Sequence, residues 1–263
     1  MPPGSRLVAA LSRIDRATKR GVVNVSENAD FAYRLAEAHR TVLEFYLISA
    51  ALDDIPGMSR QRLTLALGGH DLPDEDKKST LARDAQFELL VTALIHHAGV
   101  RDVAPDEPDV RIKAGDKWIG IAAKRVSSQA QLQKRLRHAG KQIQRQHDAG
   151  VEFGIIALNL DAVVNAVFRD FGADRARAAF DSIALISEQF VRSRRESECV
   201  VGIQAFATIM GWQVSGRTMA LGLDVITHGR WTSPASEVES IGAFLRARGT
   251  HLQRELGRLM TLL

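Results

Sequence analysis

The middle of the chain, residues 80–160, alternates between two hydrophobic periods, and this alternation constrains the fold more than any other feature. Apolar residues in Thr80–Ala98 and Ser128–Ala149 recur every three or four positions, which is the spacing of amphipathic helices. Shorter apolar runs predict strands at Val100–Ala104, Asp109–Lys113, Lys117–Val126 and Phe153–Leu160. The order helix, strand, hairpin, helix, strand favours an α/β fold with a mixed central sheet flanked by helices.

The flanking segments predict two further parts of the chain. Before the alternating region, the spacing predicts helices at Ser26–Asp54 and Ser59–Leu67, followed by a polar connector at His70–Lys78. We therefore expect an N-terminal helical module at residues 1–78 and a second domain at residues 79–263. Its C-terminal extension is predicted to contain a helix, two strands and a closing helix, at Ala173–Arg194, Val200–Met210, Met219–Thr227 and Pro234–Leu262.

Composition narrows the class of protein. The chain has 263 residues, of which 45% are hydrophobic and 25% charged, as in soluble globular proteins. No apolar run is long enough to span a membrane, and the N-terminus lacks the pattern of a signal peptide, so we expect a cytoplasmic protein without membrane contact. The single cysteine, Cys199, excludes an internal disulfide and a cysteine-based zinc site.

Positive charge is concentrated in one segment. The chain carries a net charge of +4, but Lys124–His147 contains seven Lys or Arg residues and no Asp or Glu. Such a segment produces a local positive field that attracts phosphates. The same pattern is typical of an ordinary solvated helix face, so it leaves nucleic-acid binding and a structural role equally open.

The predicted hairpin and the helix before it bring together a small set of polar residues. Side chains alternate along a strand, so Ala122 and Lys124 point to the same side. The hairpin places Asp109 near that part of the second strand, and Glu88 lies at the rim of the apolar stripe of the preceding helix. Two carboxylates beside a lysine suit magnesium and the activation of a hydrolytic water.

Pro108-Asp109, followed after twelve residues by Ala122-Ala123-Lys124, resembles the motif of the PD-(D/E)xK nuclease superfamily. The resemblance covers about Thr80–Leu160 and implies a restriction-endonuclease-like core. It implies that Asp109 and Glu88 bind Mg²⁺ or Mn²⁺ and that Lys124 assists the attacking water. It further implies a phosphodiester substrate, DNA more than RNA, a homodimer as in many relatives, and a role in restriction or antiviral defence.

One position departs from the motif, because Ala122 stands where the superfamily has Asp or Glu. Either the substitution disables cleavage in a nuclease, or the chain is a degenerate relative that binds without cutting. The presence of Asp109, Lys124 and Glu88 favours a metal-dependent nuclease in a disabled form. The alternatives are a non-catalytic nucleic-acid-binding module and a structural or interaction subunit.

The predicted helix after the lysine supplies the expected nucleic-acid contacts. Side chains that can hold a phosphate backbone are Arg125, Lys134, Arg135, Lys141, Gln142 and Arg145. Gln142 and Gln146 also resemble, weakly, the glutamine motif of some recombination nucleases. The alternative is an amphipathic helix with its polar face in water and with Leu132, Leu136, Ala139 and Ile143 buried.

Overall fold

The computed structural model describes residues 5–20, 29–55, 60–70, 81–97, 100, 103–105, 109–114, 116–171, 173–193, 199–215 and 218–231. The predicted closing helix at Pro234–Leu262 and nearly all of the predicted connector lie outside these residues.

A mixed sheet of six strands forms the centre of the fold, and the strands follow one another in chain order. They are β1 (Val103–Pro105), β2 (Val110–Ala114), β3 (Lys117–Arg125), β4 (Phe153–Asn159), β5 (Val200–Ser215) and β6 (Thr218–Trp231). Strands β1, β2 and β3 pair antiparallel, β3, β4 and β5 pair parallel, and β6 returns antiparallel to β5. The sequence prediction of an α/β fold with a mixed sheet flanked by helices is therefore confirmed.

Helices cover both faces of this sheet. They are α1 (Arg6–Arg20), α2 (Ala29–Ala51), α3 (Arg60–Leu67), α4 (Leu81–His97), α5 (Leu132–Asp148), α6 (Asp161–Phe171) and α7 (Ala173–Ser193). On one face, α4 buries Phe87, Val91 and Ile95 against β1 to β4. On the other face, α5, α6 and α7 form a second core with β3, β4 and β5.

Helix α4 is buried on two sides, because it also packs against the N-terminal helices. Ala85, Leu89 and Ala93 of α4 form a third apolar cluster with α2 and α3, which includes Phe45 and Ile48. The N-terminal helices therefore rest on the helix that carries Glu88, and they contact the sheet mainly through it.

The sequence predictions missed two helices and shortened two strands. Helix α1 was not predicted as a separate element, and α6 follows β4 after a single residue, Leu160, so no loop composition marks its start. Strands β5 and β6 extend past the predicted ends at Met210 and Thr227, because they pair with each other along their whole length.

Two glycines fix the position of α5 over β3. Gly150 has φ +97°, a left-handed conformation that ends α5 without the steric cost of a side chain. Gly120 lies in β3 directly beneath the helix, where an added Cβ would collide with the side-chain amide of Gln146. The absence of a side chain at Gly120 thus lets the polar edge of α5 approach β3 closely.

A buried network of charged groups joins α2 to the carboxyl ends of the central strands. Arg40 of α2 is 4% exposed and forms ion pairs with Glu37, Glu44 and Asp161, the last at 2.8 Å. Asp161 also accepts a hydrogen bond from the Thr208 amide of β5. Although burial by itself lowers the Arg40 pKa, these carboxylates hold that pKa well above its ordinary value. Arg40 therefore stays charged and ties α2 to the sheet.

We expect Arg40→Met to destabilise the fold by about 3–5 kcal/mol, because the substitution leaves buried carboxylates without their cation. Lys19→Met is the matched control, since the ion pair of Lys19 with Asp15 is exposed on both sides and should cost about 0.5 kcal/mol or less. Urea unfolding followed by circular dichroism measures the free energy of unfolding of both variants and of wild type. Equal losses in the two variants would contradict the importance of this network.

Candidate functional site

Asp109 is the most deeply buried of the charged residues predicted for the site. It immediately precedes β2 and is 2% exposed. Its Oδ2 accepts a hydrogen bond from the Ala123 backbone amide at 2.8 Å and another from Lys124 Nζ at 2.7 Å. The start of β2 is thereby fastened to the end of β3, and the carboxylate has a fixed orientation.

Lys124 completes this contact from β3. Its ammonium group also donates to the backbone oxygen of Ala123 at 2.9 Å, so two of its three N–H groups are used within the cluster. The ion pair with Asp109 is buried on both sides. The third N–H is the donor that Lys124 can offer to a substrate or a water.

Glu88 of α4 meets the same pair from the side of the helix. Its carboxyl group is close enough to Asp109 for their charges to interact, and its Oε2 accepts a hydrogen bond from Arg62 Nη1 at 3.0 Å. Burial, and then the neighbouring charge of Asp109, raise the Glu88 pKa from 4.5 to about 8, while Arg62 and Lys124 act in the opposite direction. The structure thus brings Glu88, Asp109 and Lys124 into one cluster.

Ala122 lies among apolar side chains. It is fully buried in the core between β3 and α5, which also contains Leu136, Ala139 and Ile143. Within the part of the chain that the structure describes, no group of three or more His, Cys, Asp or Glu side chains converges on a potential metal position. The site therefore has two converging acids, and its third motif position is occupied by a methyl group.

The carboxyl groups of Asp109 and Glu88 are suitable ligands for a divalent cation. Magnesium commonly binds through one or two carboxylates, with waters and substrate phosphate completing its octahedral shell. Two carboxyl groups close enough for one to raise the pKa of the other form a pair that a cation stabilises by neutralising their mutual repulsion. Asp109 and Glu88 are the residues that would hold such an ion.

Helix α5 places two buried amides next to β3. Gln142 is 2% exposed and Gln146 is 5% exposed, and the amide oxygen of each lacks a hydrogen-bond partner among the described residues. Gln142 was predicted to contact nucleic acid from a polar face of the helix, but the structure places it inward. The apolar side predicted for this helix is buried at Leu132, Leu136, Ala139 and Ile143.

The basic residues of this region fall into two groups. Lys134, Lys141 and Arg145 are exposed on α5. The predicted nucleic-acid contacts require this exposure. Arg135 is half-buried and its guanidinium lies 3.8 Å from Asp84 of α4. Arg125 is also half-buried, where burial and then the charges of Arg40 and Arg83 lower its pKa.

Sequence reasoning missed two residues at this cluster. Arg62 comes from α3, and no local pattern links that helix to Glu88. His138 lies one helical turn before Gln142 and is largely exposed; its partial burial, and then the charges of Lys124 and Arg145, lower its pKa. The four-residue spacing of His138, Gln142 and Gln146 was the available signal.

Comparisons with protein-family models, curated proteins and solved structures found no match, so no family is assigned to the chain. None of the helices within the described residues has the length and apolar character needed to cross a membrane.

Replacing Glu88 with Gln should change how stability depends on pH. Because the folded protein retains the Glu88 proton between about pH 4.5 and 8, whereas the unfolded chain releases it, this group's contribution to stability is lost as pH rises through that range. Glu88→Gln removes the loss, so the variant should gain on the order of 2 kcal/mol relative to wild type between pH 5 and 8.

Urea unfolding at pH 5, 6, 7 and 8 measures the difference. Glu152→Gln serves as the control, because Glu152 is exposed and its oxygen lies 4.0 Å from Lys117 Nζ. A stability difference between wild type and Glu88→Gln that stays constant across these pH values would show that Glu88 titrates normally.

Proposed function

We propose that this chain is a metal-dependent nuclease of the PD-(D/E)xK type, acting on DNA phosphodiesters, with cleavage disabled or weak because of Ala122. The observation that carries the proposal is the convergence of Glu88, Asp109 and Lys124, from α4, the start of β2 and β3, within one cluster.

The order of elements around the cluster supports the same proposal. Helix α4 is followed by the antiparallel strands β1, β2 and β3, then by α5 and by β4, which pairs parallel to β3. This order agrees with the restriction-endonuclease-like core that the motif implies. The acid before β2 and the lysine on β3 are where the resemblance would put the site of such a core.

In the proposed chemistry, Asp109 and Glu88 would hold the metal ion, and Lys124 would position the attacking water. Bound Mg²⁺ would supply charge neutralisation at the phosphate and a lower pKa for a coordinated water. Lys124 is oriented by its contact with Asp109, so its remaining N–H can position a water or meet the negative charge that develops at phosphorus. The buried setting strengthens these charge interactions.

The surface next to the cluster suits a phosphate backbone. Lys134, Lys141 and Arg145 project from α5 together with Arg137, and within the described residues none of the four forms an ion pair with an acid. From position 134 to position 145 the helix rises about 16 Å, so the cations can follow several successive phosphates. Such contacts give strong, salt-dependent binding without reading the base sequence.

A second function, nucleic-acid binding without cleavage, is favoured by the packing of Ala122. Its methyl group belongs to an apolar core, and Asp109 and Lys124 already satisfy one another at 2.7 Å. In this alternative the basic surface of α5 remains the binding surface and the cluster is structural.

Reversing two charges on α5 should weaken DNA binding under either function. We expect Lys134→Glu with Lys141→Glu to reduce affinity for a labelled duplex at least tenfold at 100 mM salt, because two phosphate contacts become repulsive. The slope of log affinity against log salt should fall by about 2. The matched control is Lys113→Glu with Arg175→Glu, two exposed cations outside α5. Equal losses in both double variants would place the binding surface elsewhere.

Restoring the acid at position 122 tests catalysis. Ala122→Asp and Ala122→Glu should cut plasmid DNA in Mg²⁺ or Mn²⁺, whereas the same variants with Lys124→Met should not. Because Ala122 is fully buried, folding of each variant is first checked by circular dichroism. A folded acid variant that cuts neither DNA nor RNA would leave the binding function as the better account.

A further inference from the structure

The N-terminal helices contribute a charged residue directly to the candidate site. Arg62 of α3 is 26 positions before Glu88 in the sequence, and its guanidinium binds the Glu88 carboxylate at 3.0 Å. The side chains are 23% and 18% exposed, so the contact lies at the partly open rim of the cluster. Solvent and small ions can therefore reach it from outside.

Together with Arg62, the cluster contains two acids and two cations, and each acid lies next to one of the cations. Arg62 binds Glu88, Glu88 interacts with the charge of Asp109, and Asp109 binds Lys124. Above about pH 8, where Glu88 is ionised as well, two positive charges balance two negative ones. A divalent ion added to the same carboxylates would produce an excess of positive charge in a partly buried place, and like charges repel strongly there.

The two cations differ in how they are held. Lys124 belongs to β3 and is also bound to the backbone oxygen of its neighbour Ala123, so it stays with the sheet. Arg62 reaches Glu88 through a long side chain from a helix of eight residues that rests on α4. Arg62 is therefore the cation that can leave Glu88 without disturbing the strand.

We infer that Arg62 and a divalent metal ion compete for the Glu88 carboxylate, so that the docking of α3 regulates metal binding at the site. This inference rests on the proposed metal site. By linkage, an event that draws α3 away from Glu88 raises metal affinity, and bound metal loosens α3 to the same extent. The N-terminal helices then act as an internal control on the candidate nuclease site.

Mn²⁺ binding to the full chain tests the competition. Free Mn²⁺ is measured by electron paramagnetic resonance in wild type, Arg62→Gln, Arg62→Lys and Arg60→Gln. Arg62→Gln should bind Mn²⁺ about tenfold more tightly, because the competing charge is gone. Arg62→Lys retains the charge, and Arg60 is exposed on the same helix, so both should stay within about twofold of wild type. Glu88→Gln should abolish the gain when combined with Arg62→Gln.

Unchanged or weaker Mn²⁺ affinity in Arg62→Gln overturns the inference, and so does the absence of millimolar Mn²⁺ binding in both proteins. If Arg62→Gln fails to fold, hydrogen exchange on the wild-type protein tests the same inference. Hydrogen exchange of residues 60–67 in wild type should become faster when Mn²⁺ is added, and unchanged or slower exchange overturns the inference.

These results are separable from those that test the proposed function. The nuclease proposal is removed if the α5 charge reversals leave DNA affinity unchanged and the restored acid gives no cleavage. This holds for any effect of Arg62 on Mn²⁺ affinity. Mn²⁺ affinity that is indifferent to Arg62 removes only the competition, and the nuclease proposal remains.

Discussion

The contact between Asp109 and the end of β3 is the interaction on which the candidate site depends. One carboxylate oxygen accepts from a backbone amide and from the Lys124 ammonium group, at 2.8 and 2.7 Å. The backbone bond fixes where the acid lies relative to the strand, and the ion pair balances its charge in a buried place. Glu88 can approach this pair only because the strand pairing and the packing of α4 bring it there.

Helix α4 connects the two halves of the molecule in a physical sense. One side of it packs Phe87, Val91 and Ile95 on the sheet, and another side packs Leu89 and neighbouring small residues on the N-terminal helices. Glu88 lies beside both surfaces, so it contacts Asp109 from the sheet side and Arg62 from α3. The position of the N-terminal helices is thereby coupled to the charge environment of the site.

The sequence was sufficient to predict the local elements of the fold and of the site. Periodicity located α4, α5 and β2 to β4 within a few residues, and strand alternation placed Ala122 and Lys124 on a common side. It was insufficient for contacts between distant segments. The pairing of Arg62 with Glu88, and of Arg40 with Asp161, joins residues 26 and 121 positions apart, and no local pattern encodes such distances. The inward direction of Gln142 was also missed, because a glutamine on an amphipathic helix is ordinarily solvated.

The three polar residues of the cluster do not carry equal weight for function. Asp109 and Lys124 stabilise each other, and loss of either one would leave a buried, uncompensated charge, so stability alone is a sufficient reason for both to be present. Glu88 differs, because burial and the charge of Asp109 raise its pKa and make its ionised form costly to the fold. A residue that lowers stability at neutral pH requires another explanation, since Gln at that position would remove the cost. Under the proposed function, a cation bound by both carboxylates would offset this cost, so Glu88 supports the proposal more than Lys124 does.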